Sequence, residues 1–222
     1  MNILTFDLRR PLLALAAWLI AVSGAVLAPA VLAEDLAATR AVFLDGVRGD
    51  KAAVKTASER FEAMHRGEPG NVLLRAYWGS CLTLQGREAY MPWTKMRLVE
   101  DGLTQLDKAL ALVTPERDAE RFEGTSVGME ARLVAGTTFL QLPSLFNRFD
   151  AGKRVVAEAM KNPEFSRIPP AMQANFHFQW AKVAQREGKR DEEIASLRQS
   201  LSANPKGYEA DAARARLKEL GA

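Results

Sequence analysis

Residues 180–205 read WAKVAQREGKRDEEIASLRQSLSANP. Phe176, Trp180, Val183 and Ala184 recur at steps of three and four, which sets them on one face of a helix. Gly188-Lys189-Arg190-Asp191 breaks that helix with a tight turn. Ile194, Leu197 and Leu201 form the apolar face of a second helix, and Asn204-Pro205 stops it, because proline cannot extend an α-helix. Two short amphipathic helices joined by a glycine turn and closed by proline are one unit of a stacked helical array. The stretch therefore predicts an all-α fold: a short α-solenoid of about four antiparallel helix pairs.

Outward from this unit the helical period continues. Residues 207–220 carry Ala210, Ala213, Leu217 and Leu220 on one stripe, opposite a charged face. That is the pattern of a C-terminal cap helix, which hides the stacking face of the last unit. Upstream, residues 35–47 and 51–65 pair around Gly49-Asp50, and 72–85 is expected to end at Gly86. Residues 94–113 hold the cleanest apolar stripe of the chain and stop before Pro115. Residues 116–128 are read as a loop, 129–142 and 151–161 as a third pair, and 168–186 as the first helix of the fourth. No Val/Ile/Thr alternation is long enough for a strand. Arg75-x-x-x-Gly79 and Arg132-x-x-x-Gly136 repeat at an offset of 57, and Ala181 places a small residue 45 further on. Small residues at such spacing are expected where neighbouring helices cross closely.

Ala181, Gly188, Ile194, Leu197 and the terminal Pro205, with Gly79 in an earlier unit, resemble the pattern of the tetratricopeptide-repeat family. The resemblance covers about residues 35–222. It implies a non-enzymatic scaffold whose concave groove, lined by the first helix of each unit, binds a protein or peptide. In the register of Ala181 the groove residues it implies are Asn175, Phe178, Lys182, Gln185 and Arg186. The stretch from Gly79 through Arg87, Pro92, Lys95, Leu106-Asp107-Lys108-Ala109 and Leu142-Pro143 to Arg148 is also similar to a group of exported repeat proteins, which implies no particular chemistry.

Two connectors are the second candidate surface. Arg87 to Lys95 (REAYMPWTK) and Phe146 to Asp150 (FNRFD) combine aromatics with arginine, the side chains that dominate protein interfaces. Arg87, Trp93, Lys95 and Arg148 are their candidate partner-binding residues. Both connectors fall between the two helices of a unit, so stacking is expected to bring them to one edge. The structural alternative is that Trp93 and Phe149 fill packing gaps while Arg87 pairs with Glu88 or Asp150.

The N-terminus reads as an address. Arg9-Arg10 precede an uncharged apolar run at 12–28, and Val31-Leu32-Ala33 leads into Glu34-Asp35. This is a secretory signal peptide over 1–33, cleaved after Ala33, with 34–222 as the mature helical domain. The alternative is an uncleaved membrane anchor, since residues 11–33 nearly span a bilayer. Export sets the expected location as periplasmic or secreted and the expected partner as an envelope protein or peptide. Cys81 is the single cysteine, so no internal disulfide forms, and its apolar neighbourhood predicts burial.

Composition narrows the classes. Apolar residues make up 48% and charged residues 26% of 222, enough for a packed core. A net charge of +3, with no basic cluster interleaved with aromatics, argues against nucleic acid. Gly124-Thr125-Ser126-Val127-Gly128 matches G-x-S-x-G, and Asp150 and His177 follow in hydrolase order. A nucleophile elbow needs a strand leading into it from a parallel sheet, so the favoured reading is that Ser126 or Thr125 caps the next helix. A hydrolytic or small-molecule-binding protein is the alternative function, and it requires a closed pocket with convergent polar groups. His65 and His177 lie in different units, and no metal motif is present, so no metal or cofactor is expected. His65 ends a helix, where an imidazolium suits the dipole, and Asp191-Glu192-Glu193 open one, where negative charge does.

Overall fold

The computed structural model describes residues 33–222, and within that range the chain folds into ten α-helices. They are α1 (33–47), α2 (Lys51–Gly67), α3 (Val72–Glu88), α4 (Pro92–Ala111), α5 (Pro115–Ala119), α6 (Val127–Gln141), α7 (Phe149–Lys161), α8 (Pro170–Arg186), α9 (Arg190–Ala203) and α10 (Ala210–Glu219). The expected signal segment and its cleavage site fall at or before the edge of the described residues.

Helix ends follow side-chain chemistry. Asp50 accepts from the amides of Ala52 and Ala53 at 2.9 and 3.0 Å, and Asn71 accepts from those of Leu73 and Leu74. These caps satisfy amides that a helix start leaves without partners. Pro92 and Pro170 each open a helix, where the missing N–H costs nothing. The α8–α9 turn has Gly188 at φ +71°, a conformation that favours glycine.

Helices adjacent in sequence pack as pairs: α3 on α4, α6 on α7, α8 on α9. The first helices of these pairs also stack in succession, α3 on α6 and α6 on α8, and α10 covers α9. With α1 and α2 this makes four pairs and a cap, the arrangement that the helical period predicts.

The predicted close crossings are present. A Cβ on Gly79 would stand 2.8 Å from the carbonyl oxygen of Gly102, and one on Gly102 would stand 2.5 Å from that of Gly79. In the next pair a Cβ on Gly136 would stand 2.9 Å from Val156, and one on Gly152 2.9 Å from Leu140. Ala181 is buried in the last cluster with Leu197, Ala213 and Leu217.

The core begins with three rings. Phe61 stacks on Tyr77 at 5.1 Å and 8°, and Phe43 meets Tyr77 edge-on at 5.1 Å. The Tyr77 hydroxyl donates to buried Glu130, which also receives Arg40 at 3.1 Å. Arg40 further pairs with Glu123 and lies over Phe122. One side chain of α1 thus ties together α3, α6 and the loop before α6. Burial, together with the Glu130 carboxylate, raises the Tyr77 phenol well above its ordinary pKa.

Two expectations need correction and a third is extended. Gly86 does not end α3, which runs to Glu88; Gly86 is instead where α4 approaches, since a Cβ there would stand 2.6 Å from Val99. Residues 116–128 are not a plain loop. They hold α5 and a hairpin of two-residue strands, β1 (Arg121–Phe122) and β2 (Thr125–Ser126), with Phe122 opposite Thr125. Glu123 and Gly124 both have positive φ (47° and 78°), as a two-residue primed turn demands. Finally, the Asp191-Glu192-Glu193 run does more than complement a helix dipole. Glu192 accepts from the Trp180 indole at 2.7 Å, and buried Glu193 pairs with Arg216 of α10 at 2.6 Å. The cap helix is held on by that ion pair.

Candidate functional site

The stacked first helices line an open-mouthed cavity of about 320 Å³. Each wall follows from helical spacing. Helix α1 supplies Phe43, Leu44 and Val47, and α3 supplies Tyr77, Ser80, Thr83, Leu84 and Arg87. Helix α6 contributes Leu133, Val134, Thr137, Thr138 and Gln141. Asn175 of α8 reaches the cavity, and Lys95, Val99, Leu142, Pro143 and Phe146 line the remaining edge.

The cavity has a direction. Near one end lies the Tyr77–Glu130–Arg40 network. In its middle Ser80 and Thr138 share a hydrogen bond at 3.0 Å; Thr138 donates to the carbonyl of Val134, and the neighbouring Thr83 hydroxyl donates to the backbone carbonyl of Ser80. At the other end stand Arg87 and Lys95, both exposed. Arg87 Nε donates to Glu88 at 2.9 Å, and Glu88 also meets Lys51 at 2.7 Å. Those cations hold the Glu88 carboxyl below its usual range. Lys95 forms no ion pair among the described residues.

The two connectors do converge. Arg87 and Lys95 from the first, and Phe146 from the second, line the same end of the cavity. Around them the surface is apolar: Tyr90 is 94% exposed, Trp93 66%, and Leu145, just before the second connector, 66%. Trp93 therefore fills no packing gap. Phe149 is half-buried beneath the Arg186 guanidinium, 4.8 Å from its ring centre. Arg148 is spent internally, with a two-pronged pair to Asp107 at 3.0 and 2.8 Å over the ring of Phe139. Arg87 pairs with Glu88, one of the two structural alternatives.

The five groove residues separate. Asn175 lies in the main cavity and accepts from Gln179 at 2.9 Å. Phe178, Lys182 and Gln185 line a smaller depression of about 140 Å³, roofed by Ala212 and Arg216 of α10. Lys182 sits 4.7 Å above the Phe178 ring. Burial lowers its pKa, opposed by Glu209, whose own carboxyl burial pushes up. Arg186 is in neither cavity and caps Phe149. Of the five, Asn175 alone lines the main cavity, and Gln185 and Arg186 are exposed.

The remaining candidates have structural roles. Ser126 Oγ is buried and accepts the Met129 amide at 3.2 Å, so it caps α6. The strand before Gly124 is one arm of a two-stranded hairpin, not part of a parallel sheet. His65 packs at 5.3 Å against Trp78, and burial and the nearby Arg75 charge lower its pKa. The imidazolium expected for the helix dipole is thus disfavoured. His177 lies edge-on to Phe165, and burial lowers its pKa too. Cys81 is fully buried and its thiol pKa is raised by desolvation. Among the described residues no group of three or more His, Cys, Asp or Glu is placed to hold a metal ion, and no helix is long and apolar enough to cross a membrane.

Sequence reasoning missed the cavity itself and the contribution of α1 to it. Its only signal was the uncharged set Ser80 and Thr83 on the presumed groove face. Compared with known proteins, the chain matches no family model, no curated protein and no solved structure.

Proposed function

We propose that the protein is an exported, non-enzymatic scaffold of the tetratricopeptide type that docks a partner protein of the cell envelope at the edge where its two connectors meet. The observation that carries this reading is the exposure of Tyr90, Met91, Trp93 and Met96 in one short stretch, with Leu145 just before the neighbouring connector. Large apolar side chains are rarely left together in water without a partner to cover them. Arginine and lysine around them supply the polar rim of a protein interface. Arg148 and Arg186 hold the scaffold together and are not part of the docking surface.

The test is site-specific photocrosslinking in the native envelope. A crosslinking phenylalanine analogue at position 93 is expected to capture one partner, and the same group at 186 none. Capture at 186 alone would move the site back to α8. No adduct at either position would refute docking at this edge.

A further inference from the structure

The cavity beneath that edge has a chemistry of its own. Its body is apolar or hydroxyl-bearing apart from the amides of Gln141 and Asn175, and among the described residues that line it none is an Asp or Glu, whereas two are cations. Both cations stand at the same end, beside Phe146. Its volume of about 320 Å³ lies at the lower end of the range for small-molecule sites, roughly 300–1,000 Å³. The wall hydroxyls ask for no polar group in mid-cavity: Ser80, Thr83 and Thr138 are hydrogen-bonded within the protein, and Thr137 Oγ1 is buried away from the cavity surface.

We propose that this cavity binds a single-chain fatty acid, its acyl chain lying along α3 and α6 and its carboxylate at Arg87 and Lys95. The charge fits a monoanion. Arg87 shares its charge with Glu88, and Glu88 is in turn neutralised by Lys51, which among the described residues leaves Lys95 as the cation at the mouth without an ion pair. A carboxylate there gains a charge-assisted hydrogen bond from Lys95 Nζ and from the Arg87 N–H groups not used by Glu88. A dianionic phosphate head would lack a second free cation. The chain end meets Tyr77 and Leu133, where the wall is closed by the buried network. This site adjoins the partner surface and shares Arg87 and Lys95 with its rim, but its body lies under the connectors and its ligand is a lipid rather than a protein.

The experiment is isothermal titration calorimetry of the mature protein with decanoate, 1-decanol and decyltrimethylammonium, each below its aggregation limit. Decanoate is expected to bind one-to-one, about tenfold or more tighter than the neutral and cationic chains, as one charge-assisted contact implies. Lys95→Glu, a change at an exposed side chain, is expected to abolish that preference while leaving the melting temperature unchanged. Thr137→Phe narrows the cavity and is expected to weaken all three chains, with its folding checked by circular dichroism. Absence of saturable decanoate binding would overturn the proposal, as would equal binding of the cationic chain or a preference that survives Lys95→Glu. Because the readout contains no partner protein, its failure leaves the crosslinking result at position 93 untouched, and the converse holds.

Discussion

The crossing of α3 and α4 yields the most demanding prediction. Gly102 is the residue to change, to alanine. Inside a helix that exchange ordinarily stabilises by about 1 kcal/mol through propensity. At this position the added methyl would stand 2.5 Å from the Gly79 carbonyl oxygen, 2.8 Å from Thr83 Cγ2 and 3.0 Å from the Thr83 nitrogen. A carbon meets a carbonyl oxygen comfortably at about 3.3–3.6 Å, so the helices must part by most of an ångström. Two of the three obstructing atoms are backbone and cannot rotate away. Overpacking of this kind costs about 1–3 kcal/mol, and the rigid neighbours place it in the upper half of that range. The propensity gain offsets part, leaving a net loss of about 1–2 kcal/mol. For a domain of this length that lowers the melting temperature by roughly 2–8 °C. The assay is thermal and urea unfolding followed by far-ultraviolet circular dichroism, beside Gly67→Ala as control. Gly67 is helical with nothing within 4 Å of its would-be Cβ, so its exchange is expected to be neutral or slightly stabilising. If Gly102→Ala matched that control, the close crossing of the pair would be refuted.

Ala181→Leu pushes three extra carbons against Leu197 and Ala213 and is expected to cost about 1–3 kcal/mol in urea denaturation. Glu130→Ala strips the acceptor from the buried Tyr77 hydroxyl and leaves Arg40 with Glu123 alone, with an expected loss of about 1–3 kcal/mol; an equally stable variant would show the network to be idle. His65 and His177 both have folded pKa values lowered from the ordinary 6.5. The unfolded chain therefore takes up protons first, and stability is expected to fall as pH drops through about 6.5. His177→Asn should flatten that slope between about pH 7 and 5.5, measured as denaturation midpoints.

The architecture was legible because the signal is local and repeated. Leu, Val and Ala at steps of three and four, with Gly188, Asn71 and Asp50 at the boundaries, specify each helix without reference to the rest of the chain. The crossing at Gly79 was legible for the same reason: a small residue recurred at matching places. The hairpin was not. Its strands are two residues each, too short for alternation to register, and only the Glu123-Gly124 pair hinted at a primed turn. The cavity was illegible for a different reason. Its walls come from α1, α3, α6 and α8, and only stacking brings them together. The contacts of Arg148 with Asp107 and of Arg186 with Phe149 were illegible too, because composition does not reveal which side chains will lie within reach.

The reach of α1 changes how the array should come apart. In an open stack each unit touches only its neighbours, so the ends fray first and unfolding spreads inward by stages. Here the first helix is bound to Glu130 in the third pair through Arg40, and Arg48 lies 5.7 Å from the ring of Tyr208, just before the final helix. Loosening the first pair therefore also removes contacts from the third and from the segment leading into the last helix. The first pair is thus tethered at more places than the end of an open stack, which leaves melting less to gain by beginning there. Loss of structure should accordingly be a single concerted event, and local opening at the N-terminal pair should be as rare as global collapse.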